Sequence, residues 1–258
     1  MSNTLLSIVI PIKNEELILW ETISILSEKF DQIIGKQLWN FILVNNNSTD
    51  NTKSIIEKIC TRWPLSKSVF EVKKGYGAAL RTGLDYVDTP YALIIDVEQW
   101  DIPFIIWAWK NREKYDLFMG SKRADSTISK QPFYRWLLSW GLNTLLRFLF
   151  NFRGTDTHGQ KLINLKHMET VVKSCMMGRS LYDTEIVLRA CRGGYSIAEA
   201  AVAFSEKRPT RNFMLEKIIW NLLGMVKLYR IMLQIPFKTP AVYRRFLRED
   251  ILEVTGGN

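Results

Sequence analysis

Two carboxylates stand one residue apart in Asp96-Val97-Glu98, directly after the apolar run YALIID. At the end of a strand both can reach one hard divalent cation, and such a cation neutralises a diphosphate. Upstream, Lys73-Lys74-Gly75-Tyr76-Gly77, with Gly83 beyond it, sets two ammonium groups beside glycines that let backbone approach a ligand. Lys74 and Gly77 are thereby candidates for phosphate contact. The third glycine of a G-x-G-x-x-G dinucleotide fingerprint is missing, because Leu80 stands in its place. That argues against a Rossmann dehydrogenase.

These groups need a frame to hold them. LLSIVIPI (5 to 12), FILVN (41 to 45), VFEV (69 to 72), YALIID (91 to 96) and DLFMG (116 to 120) are apolar, β-branched or aromatic runs, each followed by a polar or amphipathic segment. Apolar strands separated by helices predict an α/β fold with a mostly parallel sheet covered on both faces. In such a sheet ligands sit beyond the carboxyl ends of the strands. The residues to inspect are therefore Lys13 to Glu16, Asn45 to Asp50, Lys73 to Gly77 and Asp96 to Asp101.

The chain has 258 residues, and 35 Lys+Arg against 26 Asp+Glu give 35 − 26 = +9. With 47% apolar and 24% charged residues it has the composition of a globular protein with a core, which excludes disorder and a disulfide scaffold. Cys60, Cys175 and Cys191 are far apart and lack C-x-x-C spacing, which predicts a reducing compartment. No signal peptide is expected from MSNTLLSIVIPIKNEE, and charges at Arg147, Lys217, Lys227 and Arg230 interrupt every apolar stretch long enough to span a bilayer. Two helices are expected to carry a narrow wet stripe on a broad apolar body. From 132 to 150 the stripe is Arg135, Ser139, Asn143 and Arg147; from 213 to 234 it is Lys217, Asn221, Gly224, Lys227, Arg230 and Gln234. Such helices are either buried core or lie at an anionic membrane surface. One α/β domain, 1–211, and an amphipathic helical segment, 212–258, follow as the expected organisation.

Several motifs, in order from about residue 5 to 210, carry a family resemblance. IVIPIKNEE, ILVNNNSTDNT, KGYGAALRTGLDYV, YALIIDVEQW and LFMGSKR resemble family 2 glycosyltransferases of GT-A fold, in the branch of dolichyl-phosphate mannosyl- and glucosyltransferases. GTDTHGQK and SLYDTEIVLRACRGGYSIAEAAVAFSEKRP resemble later segments of the same branch. The resemblance implies an inverting transfer from a nucleotide-sugar, UDP- or GDP-linked, with Mg²⁺ or Mn²⁺ as cofactor. Pro11 and Glu15 would then line the nucleotide pocket with Asn45 and Asn46 near the base, and Asp96 and Glu98 would hold ribose and metal. Arg123, Arg135 and Ser139 would meet an acceptor phosphate, with His158 and Gly159 in the acceptor-side loop. Polyprenyl phosphate is the implied acceptor, and the cytoplasmic face of a membrane the implied location.

The sequence departs from that family at three places. Asn45-Asn46 replaces an acidic pair, which substitutes an amide that both donates and accepts for a carboxylate that only accepts. Glu98 replaces an Asp. Lys207 to Asn212 replaces the R-x-x-G-x-S-K tail of the dolichyl enzymes, which weakens the case for a polyprenyl phosphate.

A phosphate acceptor needs no base, whereas a hydroxyl acceptor does, and Asp156, Asp183, Glu185 or His158 are the candidates. Asp156 opens a Gly-containing loop and is preferred. Asp183 and Glu185 fit equally well as acids favouring a helix N-terminus, and His158 as a loop hydrogen-bonder. A catalytically silent nucleotide- or lipid-binding module and a nucleotidyltransferase remain open as alternatives. The absence of a recognised nucleic-acid motif argues against a nucleic-acid partner.

Overall fold

Leu6, Ile8, Ile10 and Ile12 of β1 (Leu6–Ile12) pack into one hydrophobic core and Val9 into another, on opposite faces of the same strand. In β2 (Trp39–Asn45), Phe41 and Leu43 alternate with Ile42 and Val44 in the same way. Period-2 alternation with both sides apolar is what a sheet covered on both faces requires. The computed structural model describes residues 3–124, 129–130, 141, 144–178, 181–205, 214–236, 238 and 242–256.

Eight strands form the central sheet in the order β10-β8-β5-β7-β4-β1-β2-β3. The others are β3 (Lys67–Phe70), β4 (Tyr91–Ile94), β5 (Leu117–Ser121), β7 (Lys161–Asn164), β8 (Ile197–Ala201) and β10 (Tyr243–Phe246). Every pairing is parallel except those of β7, which runs antiparallel to both β4 and β5. Two short strands, β6 (Ser129–Lys130) and β9 (Phe204–Ser205), pair separately. The chain winds outward from β1 through β2 to β3, then returns to place β4 on the other side of β1. That reversal opens a crevice above the carboxyl ends of β1 and β4.

On one face lie α1 (Leu19–Ile33), α2 (Thr52–Arg62), α4 (Ile102–Lys110) and α9 (Arg248–Thr255), contributing Leu19, Ile56, Phe104 and Ile251 to the core. The other face is covered by α3 (Tyr76–Asp85), a helical stretch at 144–150 (α5), α6 (Leu165–Ser174), α7 (Tyr182–Gly193) and α8 (Met214–Leu233). These bring Leu80, Leu146, Met168, Ile186 and Leu228 into the second core. Their ends follow local chemistry. Asp101 caps α4 through Phe104 N–H at 2.9 Å, and α7 stops at Gly194 in the left-handed region.

The five strands expected from the sequence are present. The segment expected to be helical, 212–258, also supplies a strand: β10 joins the sheet edge against β8, and α9 packs its fully buried Ile251 into the core. The 211/212 boundary itself lies outside the described residues, as do Arg135 and Ser139. No helix among the described residues is long and apolar enough to cross a membrane.

Candidate active site

The loops after β1 and β2 lock onto each other. Asn14, in the left-handed region at φ 57°, donates its N–H to Ser48 Oγ at 3.0 Å and accepts from Thr49 N–H at 2.8 Å. Glu15 N–H reaches Thr52 Oγ1 at 2.9 Å, and Glu16 accepts from Asn51 N–H at 2.9 Å. Pro11 is the penultimate residue of β1, paired with Val44 of β2. Asn45 and Asn46 are each 4% exposed, and their amides are already engaged. Asn45 Oδ1 takes Ser48 N–H at 3.0 Å. Asn46 donates Nδ2–H to the Lys73 carbonyl at 2.7 Å while its Oδ1 accepts Gly75 N–H at 3.0 Å.

Asn46 therefore ties the end of β2 to the turn that starts α3. In that turn Gly75 adopts φ 132°, a conformation L side chains resist, and Lys73 and Lys74 remain exposed. Gly77 is buried in the first turn of α3.

Asp96 lies two residues past β4 and lines a cleft of about 310 Å³, part of it open to solvent. Gln99, Trp100, Lys122, His158 and Gln160 share its walls. Burial pushes the Asp96 carboxyl above its ordinary value, opposed by the charge of Lys122, a hydrogen bond from the Tyr76 hydroxyl and the charge of Lys161. Lys122 also donates to Gln99 Oε1 at 2.6 Å. Glu98 is half-buried on the same loop.

Opposite Asp96 stands a second charged group of residues. Asp183, fully buried, meets His158 Nδ1 at 2.9 Å and Lys161 Nζ at 3.5 Å. Burial alone would raise Asp183, but His158 and Lys161 hold it below its ordinary value. Burial likewise pulls His158 down, and the Asp183 carboxylate overrides it to leave the imidazole above its ordinary value. An ionised Asp183 only accepts, so Nδ1 carries the proton. His158 keeps 39% of its side chain exposed and faces the cleft. Lys161, 1% exposed, adds a bond to the Gly159 carbonyl at 2.7 Å. Gly159 is obligatory for packing, since a Cβ there would sit 1.7 Å from the Gly120 carbonyl oxygen.

Asp156 accepts His158 N–H at 2.9 Å, and its charge acts on Arg123, which also feels Arg147. Glu185 departs from the expected role of base. It is fully buried and committed to Met176 N–H at 2.8 Å, Met177 N–H at 2.6 Å and Arg189 Nε at 2.8 Å, and it does not line the cleft. It braces the turn before α7.

Two carboxylates were not singled out from sequence. Glu199 on β8 is fully buried and takes Thr155 N–H at 2.8 Å, Thr155 Oγ1–H at 2.6 Å and Asp156 N–H at 3.3 Å, which sets the loop that leads into β7. Asp101 is bound by Arg248 at 2.8 and 2.7 Å, so it is spent on structure rather than left for a ligand. The one available sequence signal was the isolated acid in the otherwise apolar strand IAEAA.

Comparison with known proteins identifies the family and the fold. The sequence model described as Glycosyl transferase family 2 covers residues 7–183. The chain is 29% identical over 229 residues to dolichyl-phosphate beta-glucosyltransferase of Saccharomyces cerevisiae, spanning 78% of this chain and 67% of that protein. It is 31% identical over 140 residues to the glycosyltransferase YkcC of Bacillus subtilis, spanning 51% of this chain and 43% of that one. Among solved structures, glucosyl-3-phosphoglycerate synthase of Mycobacterium tuberculosis with Mn²⁺, UDP and glucosyl-3-phosphoglycerate superposes with a TM-score of 0.60 at 19% identity, over 90% of this chain and 81% of that one. The fold is that of GT-A enzymes, and the chain belongs to glycosyl transferase family 2, taking its sugar from a nucleotide-sugar donor.

Proposed function

We propose that the protein is an inverting, metal-dependent transferase that passes a hexose from a nucleoside diphosphate to a phosphate carried by a membrane lipid. The observation that carries this reading is the division of charge across the cleft. Asp96 lines the cleft, with Glu98 half-buried on the same loop, and His158, held by Asp183, lines it too, with Lys161 buried behind it. Asp96 and Glu98 are hard oxygen donors suited to Mg²⁺ or Mn²⁺. No group of three or more His, Cys, Asp or Glu side chains that could hold a metal occurs among the described residues, so substrate diphosphate oxygens would complete the shell. When bound, the ion neutralises charge on the departing nucleoside diphosphate.

The remaining work falls to the chain. The clamped loops after β1 and β2, with Pro11, Glu15 and Asn45, form the floor under the nucleoside, and Asn46 holds the Lys74–Gly77 turn against it. Lys122 lies beside Asp96 and adds positive charge where the leaving group develops negative charge. On the acceptor side, Arg123 and His158 supply donors for a phosphate, and an already anionic nucleophile needs only to be positioned. Asp156 is the base for a hydroxyl acceptor, should that be the one used.

The membrane part of the reading rests on surface chemistry. Phe148 is 86% exposed, and along α8 Leu223, Val226 and Leu233 are 58%, 56% and 62% exposed beside exposed Lys227 and Arg230. Phe150 and Tyr229 join the two helices at 6.1 Å, and Arg147 bonds the Gly154 carbonyl, next to the acceptor loop. An apolar face edged with cations suits an anionic bilayer, and we assign it to the cytoplasmic leaflet.

A thermal-shift panel of UDP-, GDP- and dTDP-sugars with and without Mn²⁺ tests the donor. One nucleotide should raise the Tm only with metal, and Asp96→Ala should abolish the shift. A shift in Asp96→Ala as large as in wild type would remove the metal assignment. Co-sedimentation with anionic vesicles should fall when Phe148, Lys227 and Arg230 are all replaced by Ala; unchanged sedimentation would remove the membrane assignment.

A further inference from the structure

The last described elements of the chain lie beyond the stretch matched by the family, and they reach back to the cleft. Arg248, the first residue of α9, donates from its Nη1 to both carboxylate oxygens of Asp101, at 2.8 and 2.7 Å, with 17% and 4% of the two side chains exposed. Asp101 at the same time caps α4 through Phe104 N–H, accepts Ala203 N–H at 3.0 Å and sends its own N–H to Gln160 Oε1 at 3.1 Å. Asp101, Gln160 and Ala203 all line the cleft that holds Asp96. The far end of α9 is fixed too, since Lys110, at the end of α4, donates to the Val254 carbonyl at 2.9 Å. Helices α4 and α9 thus run side by side in the same direction, pinned at both ends. Phe246 packs on Trp107 at 4.9 Å and Ile251 is fully buried beneath them.

A second carboxylate repeats the arrangement. Glu199, which organises Thr155 and Asp156 with one oxygen, uses the other to accept from the Tyr243 hydroxyl at 3.1 Å and to face Arg245 at 3.3 Å. Both sides of the cleft are therefore tied to the same fourteen-residue piece of chain, 243–256, through two buried acids.

We infer that Arg248 is a positioning residue for the transfer reaction. By fixing Asp101 it holds the short loop 97–101 in the geometry that presents Gln99 and Trp100 to the cleft beside Asp96, and the strand β10 and helix α9 act as a clasp that completes the site. Rigid support of this kind controls affinity because a loop displaced by about 1 Å forfeits most of the benefit of aligned groups. The link to donor binding rests on the reading of Asp96 and Glu98 given above, whereas the clasp stands on its own contacts.

The test uses the full chain with Arg248→Ala and Arg248→Lys, and Tyr91→Phe as a control that breaks a contact with Glu113 at the opposite end of β4. Hydrogen exchange is followed by mass spectrometry, and UDP is titrated calorimetrically with Mn²⁺ present. In Arg248→Ala, amides of 97–104 and Ala203 should exchange about tenfold faster while β1 and β2 keep wild-type protection, and UDP should bind about tenfold more weakly. Arg248→Lys keeps the charge but carries its donor on a shorter side chain, and should fall between. Tyr91→Phe should leave both readouts unchanged whatever it does to the Tm. Unchanged exchange at 97–104 in a folded Arg248 variant overturns the clasp. Faster exchange with unaltered UDP affinity overturns the positioning role. If wild type binds no UDP with Mn²⁺, the donor reading has failed, and exchange still decides the clasp. If Arg248→Ala does not fold, Arg248→Lys decides by the same criteria.

Discussion

His158 Nδ1 lies 2.9 Å from Asp183 Oδ2, with one residue on a loop facing the cleft and the other fully buried at the start of α7. The contact pairs a buried carboxylate with an imidazole offered at the surface of the cleft. It also gives the site a defined response to pH.

His158 is raised in the folded state, so its contribution to stability is complete below its unfolded value near 6.5 and fades as pH rises through the higher folded value. Asp183 is depressed, so its contribution is present above its unfolded value and is lost only as acid titrates it. The Tm difference between wild type and His158→Gln should therefore shrink as pH climbs past the folded value of His158. Histidine NMR, with only His158 and His167 to assign, should show His158 titrating above 6.5, and Asp183→Asn should bring it down because burial is then opposed only by the charge of Asp156. A His158 titration unmoved by Asp183→Asn would contradict the pairing.

Asn46→Asp restores the acidic residue usual in the family, yet should weaken this chain. The Lys73 carbonyl would lose its donor and face a carboxylate, at a cost of about 1 to 3 kcal/mol in denaturant unfolding. Equal stability of the variant would show that the amide is not needed to hold the turn.

Glu199→Ala removes the acceptor for Thr155 N–H and the Tyr243 hydroxyl in one step. A loss of about 3 kcal/mol is expected, since buried donors are left unpaired and Arg245 loses its counter-charge. Glu199→Gln, which keeps the shape, should cost less. Chemical denaturation of the two variants side by side makes the comparison.

Gly159→Ala and Gly178→Ala form a contrasting pair. The first drives a Cβ against the Gly120 backbone and should cost about 3 kcal/mol or more. At Gly178 an added Cβ meets nothing within 4 Å, and the change should stay within about 0.5 kcal/mol. Similar losses in both would mean that the close approach of β5 to the acceptor loop does not matter.

The parallel strands and the rim residues after them were legible because buried strands read as unbroken apolar runs, as in YALIID before Asp96. The clasp was not. Tyr-Arg-Arg-Phe at 243–246 carries two cations in the middle of a strand, and its place at the sheet edge, where Arg245 finds Glu199, is a tertiary fact without a local signature. Asp183 and Glu185 look equivalent in sequence, two residues apart. Residues at i and i+2 of a helix point in different directions, and here one meets His158 while the other braces Met176 and Met177. Asp101 carries no local sign of its role, because its partner lies 147 residues away.

Strand β7 is the one member of the central sheet that runs against its neighbours, so the residues leading into it, not those leaving it, stand at the rim of the cleft. The 154–160 loop therefore arrives at the sheet from outside, while the loops after β1, β2 and β4 each depart toward a helix that must be packed. Insertions and deletions ahead of β7 change what the far wall of the cleft presents without rewinding any crossover. The fold thus leaves one wall of the cleft free to vary while the loops after β1, β2 and β4 stay bound to their helices.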